Sequence, residues 1–199
     1  MSTPRGRLEA LHPRPVPPSK LAHVVIRTSR FDRSRAWYST VLAAAPAYEN
    51  AQLCFMTYDD EHHRVGIINM PDLGEISPAL NGVEHFAFTF DRLDQLLATY
   101  RRLKGEGIEP FWTINHGPTI SMYYRDPDGN KVELQYDVLR TPAEVNAFFD
   151  SGAYEENFMG IIFDPDRMAS DYEAGVSLEQ LVVRPPLPPG KSPWDMHRP

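Results

Sequence analysis

Two histidines, His23 in LAHVVIRT and His85 in VEHFAFTF, occupy the same place in similar stretches 62 residues apart, and a carboxylate, Glu133, interrupts the apolar run KVELQYD. Two imidazoles and one carboxylate suit a divalent cation: they fill one face of an octahedron and leave the opposite positions open. A single histidine on a half-buried strand is more often a hydrogen-bonded core residue than a ligand, so the reading depends on whether the fold brings the three together. Glu133 adds weight, because a carboxylate buried without a cation or a hydrogen-bond network is strongly unfavourable. The single cysteine, Cys54, has no partner for a disulfide or a thiolate site, so it reads as core and any metal would take N and O ligands.

The elements that must position these groups follow from the repeat. At the shift that lays His23 on His85, Tyr38 in SRAWYSTVL falls on Tyr100 in LLATYRRL, so a strand and its following helix recur together. Each copy continues with β-branched and aromatic runs bounded by turn residues: PAYENA, LCFMTYDD and HHRVGIINM, then IEPFWTIN, TISMYYRDPDG and NKVELQYD. This predicts an α+β fold of paired βαβββ modules, module one over 20–70 and module two over 82–137, forming a curved, barrel-like mixed sheet. DPDG at 126–129 should turn the last two strands into a hairpin, with Pro127 presetting φ and Gly129 free to take positive φ.

Side chains alternate along a strand. Phe86, Phe88 and Phe90 should face the helix, with His85, Ala87 and Thr89 opposite; Val24 and Ile26 take the helix side and His23 the other. Glu133 and Gln135 alternate with Val132, Leu134 and Tyr136, so both histidines and the carboxylate leave the helix-covered faces and look into one cavity. HHRVGII aligns with NKVELQY through Val65 and Val132, which makes Gly66 the counterpart of Glu133. Module one therefore lacks a fourth ligand, as an open catalytic site requires.

Outside 20–137, residues 1–19 form a Pro-rich arm and 184–199 a Pro-rich tail, both expected to be extended. Residues 138–183 read as helical additions: Thr141, Pro142 and Glu144 open one helix with a capping box, and Asp164 and Pro165 open another. These helices should cover an edge or opening of the sheet, or meet another subunit. A formal charge of −7 with no long basic run argues against nucleic acid. The apolar runs are too short to span a bilayer and the first residues lack the apolar core of a signal peptide, so a cytoplasmic protein is expected.

With LAHVVI, EHHRVGI, GVEHFAF and INHGPTISMYYRDPDGNKVELQYD in this order, the chain resembles the vicinal oxygen chelate superfamily, which includes glyoxalase I, bleomycin-resistance proteins and type I extradiol dioxygenases. It is most similar to the one-domain extradiol ring-cleaving enzymes. The resemblance implies Fe(II), less often Mn(II), held by His23, His85 and Glu133, a catechol-type aromatic diol and dioxygen as substrates, and a homo-oligomer. It implies that Tyr123 hydrogen-bonds a substrate oxygen, that His116 contacts the catechol oxygen, and that His63 serves dioxygen as an acid-base group. His62 is the alternative to His63, because adjacent strand residues face opposite ways.

Two other classes compete with the dioxygenase reading. One is a metal-dependent lyase, isomerase or epimerase of the same superfamily; the other is a metal-free binding protein whose modules frame an apolar cleft. Among the remaining residues, Trp112 and Phe111 read as pocket wall or bulky core, Met56, Met70 and Met122 as core, and His12 and His197 as tail residues without a role.

Overall fold

The computed structural model describes residues 14–77 and 81–198. Module one runs β1 (Val24–Thr28), α1 (Phe31–Leu42), β2 (Ala45–Glu49), β3 (Leu53–Thr57) and β4 (Val65–Asn69). Module two repeats it with β5 (His85–Phe90), α2 (Leu93–Gly105), β6 (Trp112–Asn115), β7 (Thr119–Arg125) and β8 (Lys131–Asp137). The strands form two mixed sheets, ordered β1-β4-β3-β2 and β5-β8-β7-β6-β9, where β9 is Ile161–Ile162 from the C-terminal segment. In each module the first strand runs parallel to the last and lies at a sheet edge.

The duplication is visible at the level of register. Val25 pairs with Gly66 as Ala87 pairs with Glu133, so the glycine stands where module two carries its carboxylate. A Cβ at Gly66 would come within 3.2 Å of Val25 Cγ2 and 3.4 Å of Phe55. Both helices bury one stripe at helical spacing: Ser34, Tyr38 and Val41 in α1; Leu93, Leu96, Leu97, Tyr100 and Leu103 in α2.

These stripes and the helix-facing sides of both sheets share one core, which includes Ile26, Met56, Val65, Leu134 and Tyr124. Polar contacts join the modules on this side. Tyr38 donates to Asp126 Oδ2 (3.0 Å), Arg30 to the Pro127 carbonyl (3.0 Å) and Arg102 to the Thr40 carbonyl (2.7 Å). Asp126, 4% exposed, also accepts from the Asp128 and Asn130 amides and the Asn130 side chain, so its buried charge is satisfied. Gly129 closes the same turn at φ 97°.

The C-terminal segment carries α3 (Pro142–Asp150), α4 (Ala153–Glu156), α5 (Pro165–Glu173), α6 (Leu178–Leu181) and a 3₁₀ turn (Pro193–Met196). Thr141 and Glu144 cap α3 reciprocally, and Asp164 caps α5. β9 extends the second sheet beyond β6, and Met196 packs with Trp112, Ile114, Tyr123 and Ile161 in a second, smaller cluster. The Pro-rich tail is thus packed rather than extended there. Met56 and Met122 are buried, whereas Met70 is 38% exposed and is not core. His12 lies outside the described residues, and no helix among them is long and apolar enough to cross a membrane.

Candidate metal centre and active site

Strand alternation holds on β5. Phe86, Phe88 and Phe90 pack against the core, while Ala87 and Thr89 are exposed and His85 is half-buried on the opposite face. Glu133, from the adjacent β8, projects to the same face. Its Oε2 lies 3.1 Å from His85 Nε2, with the carboxylate only 6% exposed. The other ring nitrogen of His85 meets the Glu84 carboxylate, which Lys131 also grips at 2.6 Å. His85 is therefore held between two acceptors, and its pKa rises to about 9, first through the Glu133 hydrogen bond and then through Glu84.

Burial alone would raise the Glu133 pKa, but hydrogen bonds from His85, Ser121 and Tyr123 hold it below the ordinary value. In metal-free protein a proton sits between the two atoms that would bind a cation. The donor set fits one. A histidine that gives one nitrogen to a metal commonly offers the other N–H to a carboxylate, and Glu84 supplies that carboxylate.

Tyr123 and His116 stand beside this pair. His116 Nδ1 meets the Met159 carbonyl (2.5 Å), and a carbonyl can only accept, so the ring proton belongs on Nδ1. Burial pushes the His116 pKa down, which leaves Nε2 an acceptor 3.2 Å from the Tyr123 oxygen, so it competes with Glu133 for the single phenolic proton. Burial and then the nearby Glu133 charge drive the Tyr123 pKa far up, so its phenol remains a donor at neutral pH.

The ring of Tyr123 is stacked on Trp112 (4.6 Å between centroids, 27°) and edge-on to His85 (5.3 Å). Trp112 in turn donates its indole N–H to the Met196 carbonyl (2.8 Å). Arg184 donates to the carbonyls of His116, Asn157 and Ala153, which ties the His116 loop to the C-terminal segment.

His23 is placed differently. Among the described residues, one group of histidine, cysteine or carboxylate side chains brings three ligating atoms within 4.8 Å of one another, and it is His23, His62 and His63. The chain thus brings His85, Glu133, Tyr123 and His116 together on module two and gathers His23 with the histidine pair on module one.

His62 and His63 precede β4 rather than lie in it, so they do not diverge as strand neighbours would. The His63 ring is 4.2 Å from that of His23 and stacked on Phe55 (4.4 Å), against 5.9 Å from His23 to His62. Burial, then His23 and His62, lower the His63 pKa. Sequence reasoning missed Glu84, which adjoins a ligand candidate, and His197, whose ring meets Trp112 edge-on at 5.5 Å.

The profile of the Glyoxalase/Bleomycin resistance protein/Dioxygenase superfamily matches residues 20–134. The chain is 47% identical over 165 residues to biphenyl-2,3-diol 1,2-dioxygenase 2 of Rhodococcus globerulus, covering 82% of this chain and 87% of that protein. It is 43% identical over 167 residues to biphenyl-2,3-diol 1,2-dioxygenase 3 of the same organism, covering 83% and 88%. The crystal structure of lactoylglutathione lyase from Agrobacterium tumefaciens superposes with a TM-score of 0.50 at 20% identity, over 61% of this chain and 96% of that one, a likeness of fold. Cleavage between carbons 1 and 2 of a 2,3-diol falls outside the diol, so the two relatives are named for extradiol reactions. The chain belongs to the Glyoxalase/Bleomycin resistance protein/Dioxygenase superfamily and, with these relatives, to its extradiol dioxygenases.

Proposed function

We propose that the protein cleaves the ring of a catechol-type diol of the biphenyl-2,3-diol class, using dioxygen and Fe(II) held by His23, His85 and Glu133. The observation that carries this reading is the convergence of His85 Nε2 and Glu133 Oε2 at 3.1 Å beside Tyr123 and His116, whose hydroxyl and Nε2 lie 3.2 Å apart. Two nitrogens and one carboxylate oxygen are the donor set of non-haem iron oxygenases and leave positions open for substrate. Bound there, Fe(II) would supply what no side chain can, electron transfer between a spin-paired diol and triplet dioxygen.

The protein's own groups divide the remaining work. His116, neutral with its Nε2 lone pair toward the site, accepts a proton from a diol hydroxyl as the substrate binds. Tyr123 donates its O–H to the resulting oxygen anion, and it stays protonated because burial, and then the nearby Glu133 charge, penalise a phenolate. Trp112 fixes Tyr123 by stacking and is itself fixed through Met196. His63, against Phe55 and His23, is the acid-base group for dioxygen, and His62 stands further from His23.

The test is anaerobic loading with Fe(II), then a panel of catechol, methylcatechols and biphenyl-2,3-diol read by yellow ring-opened products and oxygen uptake. Turnover with one dioxygen consumed per diol supports the reading. Turnover unchanged in Glu133→Gln, or diol binding with no oxygen uptake, overturns it.

A further inference from the structure

His116 follows β6, and the loop that carries it is tied to the C-terminal segment at each of three consecutive residues. Asn115, 3% exposed, donates its side-chain N–H to the Val182 carbonyl (3.0 Å), and the His116 carbonyl accepts from Arg184 (3.1 Å). A Cβ at Gly117 would lie 2.8 Å from the Phe148 ring, so α3 packs directly on this loop. The imidazole itself is tied as well, from Nδ1 to the Met159 carbonyl (2.5 Å).

That carbonyl is held by a small buried clamp. Asn157, also 3% exposed, accepts from the Met159 and Gly160 amides through Oδ1 (3.2 and 2.9 Å) and donates through Nδ2 to the Gly160 carbonyl (2.9 Å). One side chain thus closes residues 157–160 into a turn and fixes where the Met159 oxygen points. Gly160 has φ 111°, and a Cβ there would lie 2.4 Å from the Asn115 carbonyl oxygen, so its lack of a side chain lets the turn sit against the end of β6. Arg184 joins the two loops. The Nη1 that reaches the His116 carbonyl also donates to the Asn157 carbonyl (2.8 Å), Nη2 reaches the Ala153 carbonyl (2.8 Å), and the guanidinium covers the Phe148 ring (5.1 Å).

The consequence is chemical. A carbonyl oxygen only accepts, so it keeps the proton of the neutral ring on Nδ1 and leaves the Nε2 lone pair on the side of Tyr123. Free histidine in water prefers the opposite form, with the proton on Nε2. A ring in that form has no lone pair at Nε2 with which to take a proton from a diol. Asn157, Met159 and Arg184 all lie beyond residues 20–134, the part that matches the superfamily, so the paired modules do not supply the clamp.

We propose that Asn157 and Arg184 are positioning residues: through the Met159 carbonyl they hold His116 in the Nδ1–H form, whose Nε2 can accept a proton from the diol. The bearing on catalysis rests on the role given to His116 above; the tautomer itself does not.

Nitrogen-15 NMR of the metal-free protein, labelled at the histidine ring nitrogens, reads the tautomer, with His116→Gln identifying the signals. Wild type should carry the His116 proton on Nδ1. In Asn157→Ala it should move largely to Nε2. Arg184→Lys keeps the charge but not the planar fork that reaches three carbonyls, and it should give a smaller shift in the same direction. The second readout is binding of biphenyl-2,3-diol to the Fe(II)-loaded protein without oxygen. If the competent form falls to about a tenth, diol affinity should fall about tenfold.

A wild-type proton on Nε2, or an unmoved tautomer in folded Asn157→Ala, would overturn the proposal. A moved tautomer with unchanged diol affinity would overturn its bearing on catalysis. Wild type that loads iron but binds no diol would instead defeat the catechol reading and that bearing with it, while the metal-free spectrum still decides the clamp. Should Asn157→Ala misfold by circular dichroism, Arg184→Lys decides in its place, and an unmoved tautomer there would overturn the proposal.

Discussion

Replacing Glu133 with glutamine in the metal-free protein should lower the pKa of His85. In the wild type that pKa stands at about 9 against an ordinary 6.5, and the Glu133 hydrogen bond is the largest cause. The difference corresponds to ~3.4 kcal/mol favouring the imidazolium, at ~1.36 kcal/mol per unit. The side chain is a third exposed, so solvent screening reduces the effective share to about half of that. Glu84 survives in the variant, so the expected fall is ~1 unit, measured by NMR titration of the His85 ring. A group whose pKa is higher folded than unfolded stabilises the fold fully below the unfolded value. That contribution fades as pH rises through the folded value, so metal-free wild type should lose stability relative to Glu133→Gln between about pH 6.5 and 9. A cation must displace the same proton, so metal affinity should rise about tenfold per pH unit over this window. An unchanged His85 pKa in Glu133→Gln would refute the pairing.

Three further outcomes are expected. Gly160 has φ 111°, and a Cβ there would lie 2.4 Å from the Asn115 carbonyl oxygen, so Gly160→Ala should cost ~3 kcal/mol or more in urea unfolding; a cost below ~0.5 would contradict the packing. Trp112→Phe removes the buried bond to Met196 and should cost ~1–2 kcal/mol while making the tail newly sensitive to limited proteolysis, and a tail as resistant as wild type would contradict its anchoring role. Tyr38→Phe removes the donor to Asp126 that ties the two modules and should also cost ~1–2 kcal/mol in the same unfolding assay, a change within error counting against that contact.

Alternation and the repeat carry most of the fold. Placing His23 over His85 predicts both modules, and the Gly66–Glu133 correspondence appears directly as the same register position in β4 and β8. Thr141, Glu144 and Asp164 announce helix starts because their side chains satisfy amides that the helix itself cannot. Periodicity says which side of a strand a residue takes, but not what that side faces, so the separation of His23 from His85 is invisible to it. Rules for strands also stop at strand ends: Glu84 precedes β5 and reaches His85, and His62 and His63 precede β4 and both lie near His23. The packing of Met196 on Trp112 joins residues 84 apart, for which a Pro-rich composition gives no signal.

Anomalous diffraction at the iron edge, from crystals of the Fe(II)-loaded protein grown without oxygen, locates the ion directly. A single peak per site bonded to His85 Nε2, a Glu133 oxygen and a ring nitrogen of His23 is the predicted result. A peak among His23, His62 and His63, with the His85–Glu133 bond intact, would contradict the account.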